Sequence, residues 1–194
     1  SSDLGQLSPC QAGLHVTTDP ACWMDLGATV YLAEVDGEIL PCDTDEKFVC
    51  RRVRLMRELS KNELELLRIF SDGKHTVAAG RSFAFGTAHV EVLGSSHVVA
   101  WESSHVVAWE SSHVVARESS HVEAWGSSHV EAWESSHVVA RGSSNGVKFS
   151  ARGEIILSEN AAFIDRTGDT PKLLTAAKET ERETPAASGT DAAG

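Results

Sequence analysis

Long apolar runs are missing from this chain. No window carries 18 consecutive apolar residues, which speaks against a membrane-spanning helix. The opening stretch, SSDLGQLSPC, also lacks the basic and apolar regions of a secretory signal, so the chain reads as soluble and intracellular. Its start at Ser1 is compatible with removal of an upstream segment. Positive charge is scarce as well: 17 Lys and Arg stand against 28 Asp and Glu, a formal net charge of −11. Without a basic surface, counterion release cannot drive tight binding to nucleic acid, and acidity this dispersed does not favour a DNA-mimicking surface. Catalytic signatures are absent too. There is no phosphate-binding loop, HExxH, GxSxG or dinucleotide fingerprint, and His15 with Glu34 or Glu38 is the one acid–base pair on offer. The chain therefore reads as non-enzymatic, with no cofactor. Cys10, Cys22, Cys42 and Cys50 contain no C-x-x-C. Buried free thiols are expected, with disulfides in one of three pairings or a zinc site with His15 as alternatives.

What the chain does have is self-similarity. Residues 95–142 read SSHVVAWE, SSHVVAWE, SSHVVARE, SSHVEAWG, SSHVEAWE, SSHVVARG, six octads without an insertion. Weaker copies on both sides extend the register over residues 79–158, and five coils are expected. An eight-residue period fits neither a helical face nor a heptad seam, whereas an even period keeps each strand side chain on its own face from copy to copy. The unit is a strand plus a turn. Positions two, four and six of the octad are always Ser, Val and Ala, while five alternates Val with Glu and seven alternates Trp with Arg. Glu and Arg do not sit unpaired in a dry core, so three, five and seven point out and the small invariant residues point in. Position eight, Glu or Gly ahead of Ser-Ser, suits a tight corner.

Sequence identity does not separate a 16-residue coil from a 24-residue one. Val and Ala are too small to fill a three-sided interior, which favours 16. The string S-H-V-V-A also resembles the S-T-x-T-A of bacterial ice nucleation protein repeats, and that resemblance implies 16-residue coils of two octads each. The expected fold is mainly β: a narrow β-solenoid of octapeptide repeats over residues 79–158, a small α+β N-terminal cap domain over 1–78, and a C-terminal cap with a tail over 159–194.

Stacking turns each outward position into a column. His97, His113 and His129 fall in one and His89, His105, His121 and His137 in the other, neighbours being roughly 4.8 Å apart. Such columns offer adventitious capture of divalent metal and a response to pH, beside the plainer reading that they pack along a solvated face; no dedicated metal site is expected. Trp101, Trp109, Trp125 and Trp133, with Arg117 and Arg141 set among them, predict an apolar stripe for a protein partner or self-association. The alternative is that each indole lies flat and shields the thin sheet.

In the N-terminal region, TVYLAEVDGEIL predicts two strands joined at Asp36-Gly37, EKFVCRRVRLM a further strand, and SKNELELLRIF a helix N-capped by Ser60 and ending near Asp72-Gly73. Gly13-Leu14-His15, Ala33-Glu34-Val35, Gly37-Glu38-Ile39 and Arg57-Glu58-Leu59 resemble a family of uncharacterised phage, prophage and bacterial domains, over about residues 10–66. The resemblance implies no known activity. Downstream, Ile155, Ile156, Leu157, Phe163 and Ile164 are bulky enough to close the last coil, and KLLTAAKETERE predicts a short helix. The leading functional reading is a scaffold or binding module using the Trp, Arg and His face. A phage- or prophage-borne effector that captures a host protein or small ligand on the cap domain is the second, and a divergent ice-ordering rod the third.

Overall fold

The computed structural model describes residues 13–42 and 46–176. Strands β1 (Leu14–Thr17), β2 (Tyr31–Pro41) and β3 (Lys47–Glu58) form an antiparallel sheet in the order β1-β3-β2. Between β1 and β2, Pro20–Cys22 makes one turn of 3-10 helix. Strand β2 runs straight through Asp36-Gly37, where a hairpin was expected. Asp36 pairs with Arg52 and Ile39 with Cys50, so the glycine, at φ +88°, is absorbed as a bulge. Pairing 11 residues of β2 with the 12 of β3 satisfies far more backbone than two short arms folded at that glycine.

Helix α1 (Lys61–Leu66) opens as expected with a capping box. The Ser60 backbone N–H donates to Glu63, whose carboxylate also accepts from Arg57 at 2.6 Å. It ends four residues earlier than the sequence suggests, because Ile69 and Phe70 leave it to become the first solenoid strand. Phe70 enters the interior and Ile69 is covered from outside, a division of labour that a helix at this point would not allow.

From there the chain winds as a two-layered parallel β-solenoid. One sheet, here the first, contains β4 (Ile69–Phe70), β6 (Arg81–Ala84), β8 (His97–Ala100), β10 (His113–Ala116), β12 (His129–Ala132), β14 (Asn145–Lys148) and β16 (Ala162–Asp165). The second contains β5 (Lys74–Val77), β7 (His89–Val92), β9 (His105–Ala108), β11 (His121–Ala124), β13 (His137–Ala140) and β15 (Glu154–Leu157). Through the octads every residue pairs with the one 16 positions on, His97 with His113 and His105 with His121, so the coil is 16 residues. Six coils form in place of the expected five, since β4 and β5 add one before residue 79. One residue is inserted after β14, so His137 pairs with Glu154 and the tenth octad starts its strand one position late.

The interior is as thin as the octads imply. Ser96, Val98, Ala100 and their equivalents are inaccessible to solvent along the whole repeat. Two aromatic rings close this narrow space: Phe70 at one end, and at the other Phe163, fully buried beneath Gly146. Ile155 and Leu157 pack against the same core half-buried, whereas Ile156 and Ile164 point outward and stay exposed. The segment expected to be a short helix contributes strand β17 (Lys172–Thr175), antiparallel to β16. The open edge of β16 supplies a ladder of hydrogen bonds that an isolated helical turn cannot match. The rest of that segment lies outside the described residues. No helix among the described residues is long and apolar enough to cross a membrane.

Candidate functional site: the outward columns

Each octad closes with a four-residue turn in which the N–H of position two donates to the carbonyl of position seven, as in Ser104 to Trp101 at 3.2 Å. Position eight is left-handed in all six central octads, whether Glu102 (φ +56°) or Gly126 (φ +69°). The strained Glu has a compensation that the sequence reading missed. In two of the four such copies the carboxylate reaches back one coil and accepts the N–H of the residue stacked beneath it, Glu134 from Glu118 at 2.6 Å and Glu102 from Gly86 at 2.6 Å. With the corners fixed, positions three, five and seven stand in straight files on the outer faces.

The seven ladder histidines fall into two files, one on each sheet. On the first, the rings of His97 and His113 stack at 4.5 Å and 7°, and those of His113 and His129 meet at 4.9 Å and 36°. On the second, His89, His105, His121 and His137 follow at 5.3, 6.1 and 5.1 Å. Burial against neighbouring rings pushes His97 down to about 4, aided by the charges of His113 and Arg81. The same cause lowers His105 and His113.

The indoles also divide between the sheets, and this corrects the expectation of one stripe. Trp101, Arg117, Trp133 and Phe149 share a file on the first sheet; Trp109, Trp125 and Arg141 share one on the second. The two sheets enclose the interior, so these files lie on opposite faces of the rod. The guanidinium of Arg117 sits between Trp101 and Trp133 at 5.1 and 5.4 Å, Arg141 lies 4.8 Å from Trp125, and Trp109 stacks on Trp125 at 5.5 Å. Stacking covers much of each ring. Trp109 alone among the four is counted as exposed, at 36%. Trp101 is partly covered, because Ala21, Met24, Val30, Leu64 and Leu67 of the N-terminal region pack into one cluster with Phe83, Phe85, Val99 and Trp101. The indole N–H of Trp101 is left buried without a partner among the described residues.

Two further features escaped the sequence reading. The first is a trio on the first sheet: His113, His129 and Glu131 bring one ligand atom each within 4.8 Å of one another. Its signal in the sequence was a Glu at position five two residues after a ladder His. The second is an apolar cleft of about 700 Å³ on the N-terminal sheet, lined by Val35, Val53, Leu55, Trp23 and Tyr31 among others. Alternation along β2 and β3 announced it, since Arg52 and Arg54 on the reverse face pair with Asp36 and Glu34. His15 lines the cleft, whereas Glu34 is turned to the reverse face with Arg54 and Glu38 is taken by Arg51 at 3.5 Å. The acid–base pair considered from sequence is not assembled. Cys22, Cys42 and Cys50 are free thiols, with Cys50 donating to the Leu14 carbonyl; Cys10 lies outside the described residues.

Among known proteins no family model matches this chain, and no match was found among curated proteins or solved structures.

Proposed function

We propose that this chain is a non-enzymatic scaffold whose rod associates with protein, a second copy of itself in the first instance, through the exposed file of Trp109, Trp125 and Arg141 with the His column beside it. The observation that carries this reading is the regularity of the outer face. A Val-Ala-Ser interior could be closed with any polar exterior, yet position seven spends Trp or Arg in every octad, the types enriched where interfaces hold most of their energy. The second sheet is the better candidate face, because the N-terminal region covers Trp101 on the first.

Sedimentation velocity on the full chain and on a Trp109→Ser/Trp125→Ser variant tests the proposal. Association of the parent chain, lost in the variant with its far-UV strand signal intact, is the expected result. A parent chain that stays monomeric at its highest soluble concentration defeats the reading, and unfolding of the variant assigns the indoles to shielding the sheet instead.

A second reading has its own support. The apolar cleft of the N-terminal sheet is of a size that suits a small ligand or an inserted side chain. It fits the reading of the cap domain as the part of a phage- or prophage-borne effector that captures a host protein or small ligand. The ice-ordering reading draws no comparable support: its lookalikes rely on flat files of Thr, and the octads place His and Val or Glu at those sites.

A further inference from the structure

We propose that His113, His129 and Glu131 form a dedicated site for one divalent transition-metal ion of the zinc class on the outer face of the first sheet. Two imidazoles and one carboxylate are a donor set that suits such an ion, leaving a fourth position open to solvent. The strands place them without any loop. His113 and His129 are register partners on β10 and β12, and Glu131 follows His129 on the same face of β12, two residues along. Glu131 Oε1 already stands 3.8 Å from His113 Nε2. Tetrahedral bonds of about 2.0–2.1 Å need donors roughly 3.3 Å apart, so side-chain rotation of an ångström or so closes the trio on an ion.

What separates this trio from the rest of the ladder is the support behind each donor. His129 Nδ1 lies 2.6 Å from Asn145 Oδ1, an acceptor that holds the proton on Nδ1 and leaves Nε2 as the free lone pair. Asn145 ends the His column on the first sheet, as Glu154 does after His137 on the second; every other ladder His is followed by another His. His113 is braced from the other side by the parallel ring of His97. Trp133 Nε1 donates to Glu131 Oε2 at 3.5 Å, and the indole is itself stacked on Phe149 at 4.1 Å. On the second sheet the same sequence pattern recurs as His105, His121 and Glu123. There the two rings stand 6.1 Å apart, the next residue in the column is His137, and His121 is exposed. The His–Glu distance is 3.8 Å on both faces, yet among the described residues only the first sheet brings all three donors within 4.8 Å of one another.

Calorimetric titration of the chelator-stripped full chain with Zn²⁺ tests the assignment. One equivalent should bind at least ~10-fold more tightly than any that follow. Glu131→Val keeps all seven ladder His and installs the residue already present at position five of the first three octads, so the coil is preserved; it should weaken that equivalent by about 10-fold or more. Glu123→Val should change it by less than about 2-fold. The difference follows from a supporting shell worth roughly 10–100-fold in affinity. The proposal is overturned if no tight equivalent appears, if Glu131→Val binds as the parent does, which would mean capture by His columns alone, or if the two variants weaken binding equally.

Discussion

Serine at position two meets two different environments in the same repeat. Beneath the first sheet, Ser112 and Ser128 donate their hydroxyls at 2.6 Å to the carbonyls of Trp109 and Trp125, three residues back. In the alternate octads Ser104, Ser120 and Ser136 are equally buried, and among the described residues their hydroxyls find no partner. A buried hydroxyl without a hydrogen bond costs free energy on folding, whereas a bonded one contributes about 1 kcal/mol. Ser112→Ala is therefore expected to lower stability by about 1–2 kcal/mol, and Ser120→Ala to leave it unchanged or raise it by up to about 1 kcal/mol. Urea unfolding of the two single variants measures the contrast. Equal losses would show that the octad position, and not the local bond, sets the cost. At this scale the sequence told which residues face inward, because Ser, Val and Ala at positions two, four and six have the parity opposite to positions five and seven, where Glu and Arg occur. It did not tell which hydroxyls are bonded, since the octads are the same string in both settings.

Strands end where their partners change. The last regular coil breaks the octad rule with Gly146 at a position that is Val in all six central octads, and Phe163, its register partner on β16, occupies the space thus released. A Cβ built on Gly146 would collide with the Val130 carbonyl oxygen and lie 2.6 Å from the Phe163 ring. Gly146→Val restores the repeat in sequence yet should destabilise the chain by about 2–3 kcal/mol, a typical cost of overpacking a filled core. Thermal and urea unfolding measure it, and a variant as stable as the parent would mean that the terminal coil adapts freely. The elements read wrongly were those whose neighbours decide them. Asp36-Gly37 carries a strong local hairpin signal and is overruled by the longer β2–β3 pairing; Ile69-Phe70 and Lys172–Thr175 carry helical patterns and are taken by free strand edges.

At the scale of the whole rod, three half-buried ladder histidines, His97, His105 and His113, couple stability to acidity. Burial holds His105 below its ordinary pKa of 6.5, with the charge of His89 adding to the shift, and His97 falls to about 4. Groups whose folded pKa is depressed are protonated more readily in the unfolded chain, so stability is complete above about pH 6.5 and falls as pH drops toward the folded values. In chelator-treated protein the melting temperature should decline between pH 6.5 and about 5, before most carboxylates titrate. His105→Gln should flatten part of that decline. A melting temperature that stays level over this interval, or falls identically in the variant, would remove the columns from the account.

The octads alone determined the period and the parity of inward and outward side chains, because an even repeat of small inward residues admits few ways to bury itself; the small size of Val and Ala favoured the 16-residue coil and its two His files, which the strand register then fixed. Only tertiary structure decided how many coils form, which face the N-terminal region covers, that the tryptophans separate onto opposite sides, and that one of two identical His-His-Glu patterns is braced. Those outcomes depend on what lies 16 residues away across a sheet or on the far side of a packed layer, and distance along the chain does not encode it.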